Sequence, residues 1–173
     1  LLPTTKVLIA KVEDKVIATV TQIMDTPLGL PIDDFIPIDD IRSKSVRVCE
    51  ISSLAIHSDW RSRSQGLFIP LSLYSIWYSR YVTGADELVI ITNQRARYVY
   101  EDLFLFEPIS INSQNYGSIN DSQAFAQRLR LTNIENRLID TYHRYPKNKN
   151  IYNMFSNPKW SKKLRRDLHK YKI

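Results

Sequence analysis

A single cysteine, Cys49, excludes any disulfide within the chain and favours a reducing compartment. No apolar run approaches the roughly 20 residues needed to cross a bilayer. The N-terminal Leu-Leu-Pro-Thr-Thr also lacks the basic region and apolar stretch of a signal peptide. A cytoplasmic location is therefore expected. Histidine is scarce too, and His143 and His169 have no ligand-spaced partners. The acidic pairs Asp33-Asp34 and Asp39-Asp40 follow prolines and lack a glycine-spaced ligand loop, so they read as capping or solvated acids, and no metal is expected. Glycine occurs only four times, which makes the placement of each one informative.

What the chain does contain is a globular composition: 43% hydrophobic and 24% charged residues over 173 positions, the size of one domain with a real core. The net charge of +6 is uneven. Arg144 to Ile173 holds ten Lys/Arg against one acid, Asp167, for +9, which leaves the remainder at −3. Basicity concentrated in a tail points to an acidic partner.

Lys6 to Val12 and Lys15 to Ile23 read as two strands joined by a Glu13-Asp14 hairpin turn. Asp25 to Asp40 is loop-like, rich in proline, with Pro-Ile-Asp-Asp occurring at 31–34 and again at 37–40. A third strand is expected from about Val46 to Ile56, then a polar turn, then a helix from about Leu67 to Val82 that stops at Gly84. Pro70 is compatible with the first turn of that helix. Glu87 to Thr92 is a buried strand, Gln94 to Phe104 a helix, Phe106 to Ile111 and Ala124 to Leu131 further strands. Thr132-Asn133-Ile134-Glu135 has the capping-box pattern of a helix start, and Asn157-Pro158 opens a last helix. The order predicts an α/β sandwich, a mixed central sheet flanked by helices. Residues 1–131 form the expected core and 132–173 a C-terminal helical extension.

Two places carry chemistry. Gly66 ends an arginine-bearing turn, with Arg61 and Arg63, and opens an apolar helix whose free N–H groups can meet a phosphate or a thioester arm. The competing reading is a plain strand-to-helix connection. Upstream, strict alternation puts Val48, Glu50, Ser52, Leu54 and Ile56 on one face and Cys49, Ile51, Ser53 and Ala55 on the other. Glu50 then lies among apolar side chains, where burial raises its pKa and suits it to take a proton from an amine. The competing reading pairs Glu50 with Arg47 or another base. A bulge would reverse the alternation. A thiol nucleophile built from Cys49, His57 and Asp59 is the lesser reading, because alternation points Cys49 away from Glu50. Tyr74, Trp77, Tyr78 and Tyr81 at helical spacing are read first as core, and second as apolar walls of a ligand tunnel.

Cys49-Glu50-Ile51-Ser52-Ser53-Leu54-Ala55-Ile56 followed by Arg61-Ser62-Arg63-Ser64-Gln65-Gly66-Leu67 resembles the central strand and acyl-carrier loop of GNAT acyltransferases. Gly84 to Asn93 and Tyr100 to Ile109 continue the same order. Asp25-Thr26-Pro27-Leu28-Gly29-Leu30-Pro31, Glu50 to Leu54, Pro70 to Tyr74 and Leu129 to Leu131 more narrowly resemble the N-acyl amino acid synthases and the related acyl-homoserine lactone (autoinducer) synthases. Phe68 and Ser53 depart from the family pattern, which has a small residue and an arginine there.

The resemblance implies a GNAT-like mixed sheet whose first strand and helices are absent from this chain. It implies transfer of an acyl group, long in the narrower family, from an acyl carrier protein or CoA thioester to the amine of an amino acid or similar small acceptor. No permanently bound cofactor is expected, since acyl-phosphopantetheine or acyl-CoA is a co-substrate. Glu50 would be the base and Tyr100 the acid for the leaving thiolate. Leu54, Ala55, Ile56, Arg61, Arg63, Ser64, Gln65, Gly66, Leu67 and Asn93 would hold the pantetheine arm and its phosphate.

In the tail, Trp160, Leu164, Leu168 and Tyr171 form a stripe opposite six Lys/Arg. Acyl carrier protein, which is acidic, is the preferred partner for it. Peripheral membrane contact comes second, and nucleic acid last. Two rival functions remain: an acetyl-CoA-dependent GNAT acetyltransferase, and a non-catalytic membrane- or nucleic-acid-binding module working through the tail.

Overall fold

The computed structural model describes residues 4–44, 46–61, 65–109, 116–119, 122–146 and 150–152. The expected last helix at 157–173, and with it the basic stripe, lies outside the described residues, as do Arg63 and Ser64. The chain divides into two compact units, Leu1–Thr132 and Asn133–Ile173.

In the first unit, β1 (Thr5–Val12) and β2 (Lys15–Met24) form the expected antiparallel hairpin, with Glu13 at the turn in a left-handed conformation, φ 52°. β3 (Val48–Ile56) pairs antiparallel with β2 and parallel with β4 (Glu87–Asn93). β7 (Ser122–Arg130) lies antiparallel on the other edge of β4, and both β5 (Glu107–Pro108) and β6 (Tyr116–Ile119) pair with β7. The sheet among the described residues thus runs β1-β2-β3-β4-β7-β5, with β6 also on β7.

One face of this sheet is covered by the segment between β2 and β3. Expected as loop, it contains a 3-10 turn, Pro31–Asp34, and the short helix α1, Asp39–Arg42. Its apolar residues Leu30, Ile32, Ile36, Ile38 and Ile41 are buried with Val48, Val89 and Ala126 of the sheet. The proline-spaced isoleucines therefore form a lid of core residues rather than a solvated connection, and burying that many large aliphatics supplies on the order of 1.5–3 kcal/mol each.

The opposite face carries α3 (Gln65–Tyr78) and α4 (Gln94–Phe104). Gln22 of β2, 1% exposed, donates from Nε2 to the carbonyl oxygen and to Oγ of Ser75, both at 2.7 Å, which ties α3 to the sheet. α3 passes into a π-type turn, Ser79–Thr83, and stops at Gly84, whose φ of 70° is the left-handed conformation that ends helices. Pro70 falls in the second turn rather than the first. α4 opens on Asn93, whose side chain accepts from Ala96 N at 2.9 Å. No described helix is long and apolar enough to cross a membrane.

In the second unit, α5 (Ile134–Tyr142) buries Ile134, Leu138 and Tyr142, spaced four apart on one side of the helix. Its start departs from the expected capping box. The N-cap is Asn133 in a left-handed conformation, φ 59°, with no side-chain cap. Strand β6, in a stretch read as polar loop, is a second addition. β5 is shorter than expected, with residues 110 and 111 outside the described part.

Candidate active site

β3 changes character halfway along. Its rungs with β4 are Val48–Glu87, Cys49–Leu88 and Glu50–Val89, and none follows. On its other side the register with β2 skips from Ser52–Thr21 to Ala55–Thr19, so two residues of β3 face one of β2. That bulge is centred on Ser53, a non-glycine residue at φ 51°. A bulge bends and twists its strand. Here it accompanies the parting of β3 from β4, and the two edges diverge around a cleft of about 590 Å³ lined by Glu50 to Leu54 and by Ile90 to Asn93. Backbone N–H and C=O groups on such parted edges are open to pairing with an extended polar ligand.

The bulge also corrects the face assignment. Strict alternation puts Leu54 with Glu50, but after the bulge Leu54 joins Ile51 around a small apolar pocket with Val20, Ile76 and Tyr100 on the helix side. Glu50 itself precedes the bulge and keeps its face.

Glu50 is 3% exposed and borders the cleft. Its Oε2 accepts from the backbone N–H of Ile32 at 2.8 Å. Ile32 sits in the first turn of the 3-10 helix after Pro31, where backbone N–H groups have no partner within the helix. Burial pushes the carboxyl up to about 7; the Ile32 bond opposes this, and the nearby acids Asp33 and Asp34 add to it. Arg47 does not neutralise it. Its guanidinium turns to Asp86, with Nε 3.6 Å from Oδ2.

Tyr100 borders the cleft from α4 and also the small pocket behind it. Its ring meets Phe68 edge-on at 5.9 Å and Phe106 at 5.4 Å. Burial raises its phenol to about 12, with the Ser72 hydroxyl opposing. That hydroxyl is buried without a well-aligned hydrogen-bond partner. A phenol that stays protonated in an apolar wall can donate a proton but does not act as a base near neutrality.

Of the other expected carrier-binding residues, Leu54 and Asn93 line the cleft, the latter with its side-chain oxygen engaged as the α4 cap. Ala55 and Ile56 lie beyond the bulge, in register with Thr19 and Ala18 of β2. Arg61 ends the short helix α2 (Ser58–Arg61), and Gln65, Gly66 and Leu67 form the first turn of α3. That turn borders the cleft through Phe68, the next residue. Cys49 faces away from the cleft, with Sγ 4.0 Å from Ser79 Oγ, and burial raises its thiol to about 12, which removes it as a nucleophile at ordinary pH.

Sequence reasoning missed three contributors: the Ile32 N–H, the Pro31 and Phe35 rim, and Phe68 as a wall. Pro31 was the available signal, since proline at a first helical position marks N–H groups left open behind it. Asp33 is not a cation ligand but a partner of Arg42, and among the described residues no group of three or more His, Cys, Asp or Glu could hold a metal ion.

A family model described as "N-acyl amino acid synthase FeeM" matches residues 1–130. Among solved structures, FeeM, an N-acyl amino acid synthase from uncultured soil microbes, is similar with a TM-score of 0.66 and 21% identity, over 81% of this chain and 77% of that one. BjaI, a CoA-dependent acyl-homoserine lactone synthase solved with SAM and isopentyl-CoA, gives 0.54 and 14%, over 78% and 64%. The spermidine/spermine N-acetyltransferase SpeG from Vibrio cholerae gives 0.54 and 12%, over 79% and 72%. At these identities the likeness establishes the fold, which is the GNAT fold. No curated protein sequence gives a significant match.

Proposed function

The chain belongs to the N-acyl amino acid synthase FeeM family and is an N-acyltransferase, and on that premise we propose that it transfers an acyl group from a pantetheine thioester to the amine of an amino acid, with Glu50 as the base. The observation that carries this reading is the placement of a buried carboxyl of pKa about 7 where β3 and β4 part around an open cleft. A carboxyl lifted to that value is about half ionised near neutral pH and still basic enough to relieve an amine of its proton.

The pantetheine arm would lie between the parted strands, pairing with backbone around Leu54, while the amides of Arg63 to Leu67 receive its phosphate. The amine nitrogen attacks the thioester carbonyl carbon as its proton passes to Glu50, and a tetrahedral oxyanion forms. Collapse breaks the C–S bond and restores the carbonyl as an amide. The thiolate takes a proton from Tyr100 or from water. The proton on Glu50 returns to solvent, and where Tyr100 has protonated the thiolate it regains a proton from solvent, so one thioester and one amine give one amide and one thiol. No covalent acyl-enzyme is required, in keeping with the buried, protonated Cys49.

Acyl carrier protein is the proposed donor partner, drawn by the basic segment after Asn157, and Ser52 and Ser53 give the cleft a polar stretch of lining. BjaI uses a CoA thioester. A CoA donor is therefore the second form of the same reading. The test is expression in a bacterial host and mass spectrometry of lipid extracts, comparing the intact chain with Glu50→Gln. New N-acyl amino acids in the first extract and none in the second are expected. Extracts from both that match an empty-vector control overturn the proposal, and acetylated amines without longer products favour an acetyltransferase instead.

A further inference from the structure

The 3-10 turn that presents Ile32 N–H to Glu50 is not held by its own hydrogen bonds alone. Four residues is too short for a turn to be stable by itself. Ile32 anchors it in the core, and its acidic side is fixed from outside by one guanidinium. Arg42 of α1 donates from Nη1 to Asp33 Oδ1 at 2.8 Å and from Nη2 to Asp33 Oδ2 at 2.6 Å. The same side chain donates from Nε to Asp25 Oδ2 at 2.7 Å and from Nη2 to Asp25 Oδ1 at 3.1 Å. Asp33 Oδ2 in turn accepts from Leu30 N at 2.7 Å, closing the turn at its first residue. Asp25 leaves β2, Asp33 belongs to the turn and Arg42 to α1. The paired forks therefore staple three separate segments, and the turn they staple is the one that touches Glu50.

We propose that Arg42 is a positioning residue for acyl transfer: by clamping Asp25 and Asp33 it holds the Ile32 N–H on the Glu50 carboxylate and masks the negative charge of Asp33 beside it. This rests on the reading of Glu50 as the base. Two consequences of the clamp act on that carboxylate. Removing Arg42 frees the turn, which loosens a hydrogen bond that favours the ionised carboxylate. It also uncovers Asp33, whose charge opposes a second negative charge nearby. Both effects raise the pKa of Glu50. Removing the charge of Asp33 lifts that repulsion but also breaks half of the clamp, so its two effects on Glu50 oppose each other.

The charged and titratable groups facing Glu50 are few. The turn contributes Asp33 and Asp34. α1 contributes Arg42, through Asp33. On its own strand Cys49 faces the opposite side. On β4 its neighbour in register is Val89, and beyond that on β7 is Arg128, held by Glu87 at 3.2 Å. Across the cleft stands Tyr100, protonated throughout the neutral range.

The test is an NMR titration of protein labelled with ¹³C at the glutamate carboxyl, with the Glu50 signal assigned by its loss in Glu50→Gln, and with the Ile32 amide proton followed in the same series. In the wild type the Ile32 amide is expected to track the Glu50 titration. In Arg42→Gln the Glu50 midpoint rises by roughly half a unit to one unit and the amide loses that response. In Asp33→Asn the amide also loses that response, while the midpoint moves less than in Arg42→Gln because the repulsion is gone. Arg42→Lys keeps the charge without the double fork, and its midpoint lies between those of wild type and Arg42→Gln.

A merely structural role for Arg42 would leave the Ile32 amide tracking the Glu50 titration in the folded Arg42 variants. If Arg42→Gln does not fold, Arg42→Lys carries the test. Midpoints within 0.2 of wild type in the folded Arg42 variants overturn the proposal. Wild-type turnover by Glu50→Gln would instead overturn the reading of Glu50 as base, leaving the clamp's effect on the midpoint to stand or fall by itself.

Discussion

Glu50→Gln should make the protein more stable at pH 8 while stopping the reaction. Glutamine keeps the oxygen that accepts from Ile32 N and nearly the same shape, so the substitution removes little besides the charge. The folded carboxyl is lifted from an ordinary 4.5 to about 7, chiefly by burial. Between those values the unfolded chain is ionised while the native chain holds its proton. The native state therefore binds more protons, and stability falls as pH rises through that window. Above pH 7 the loss is nearly complete, at most about 3.5 kcal/mol, taking about 1.4 kcal/mol per unit. At pH 5 only about a quarter of it has developed. With a urea slope of about 2 kcal/mol per molar, the midpoint of Glu50→Gln should exceed that of the wild type by up to ~1.7 M at pH 8, and by well under half of that at pH 5. Urea unfolding followed by circular dichroism at both pH values measures it. A midpoint difference that is the same at both pH values, or a Gln variant that is less stable at pH 8, refutes the claim that this carboxyl is destabilised by burial.

Tyr100→Phe should leave the melting temperature within a few degrees, because the ring contacts remain, and lower kcat by about 10²-fold if the phenol protonates the thiolate. An unchanged kcat assigns that proton to water. Ser53→Val should cost roughly 1–2 kcal/mol, since a β-branched residue resists the left-handed conformation found there, and lower the melting temperature by about 2–8 °C; Ser53→Gly should not. Gly84→Ala places a Cβ 2.6 Å from Arg47 Nη1 at φ 70°, and should lower stability by about 1 kcal/mol in thermal unfolding.

Most of the fold could be read from periodicity and punctuation, because those signals are local. The Glu13-Asp14 hairpin, the helix stop at Gly84 and the α4 start after Asn93 each depend on residues within a turn of one another. What was not legible depends on partners far along the chain. The bulge at Ser53 is decided by the register with β2, more than thirty residues earlier, and no sequence rule places a left-handed serine inside a strand. It moved Leu54 to the helix face and left Glu50 where alternation put it. The Asp25–Arg42–Asp33 clamp was invisible for the same reason, since the two acids looked like ordinary turn residues until the arginine that joins them was in place. The capping box before α5 failed in the other direction: the local pattern was present, and the chain entered the helix through Asn133 instead.

The central claim is that Glu50 removes the amine's proton as the thioester is attacked within the parted strands. It is tested most directly by following thiol release from an acyl thioester donor by the purified protein, in the presence of an amino acid acceptor. The wild type should release one thiol for each N-acyl product. Glu50→Gln should lose about 10²–10⁴-fold in kcat with the KM for the thioester little changed. Thiol release by Glu50→Gln at the wild-type rate would contradict the account.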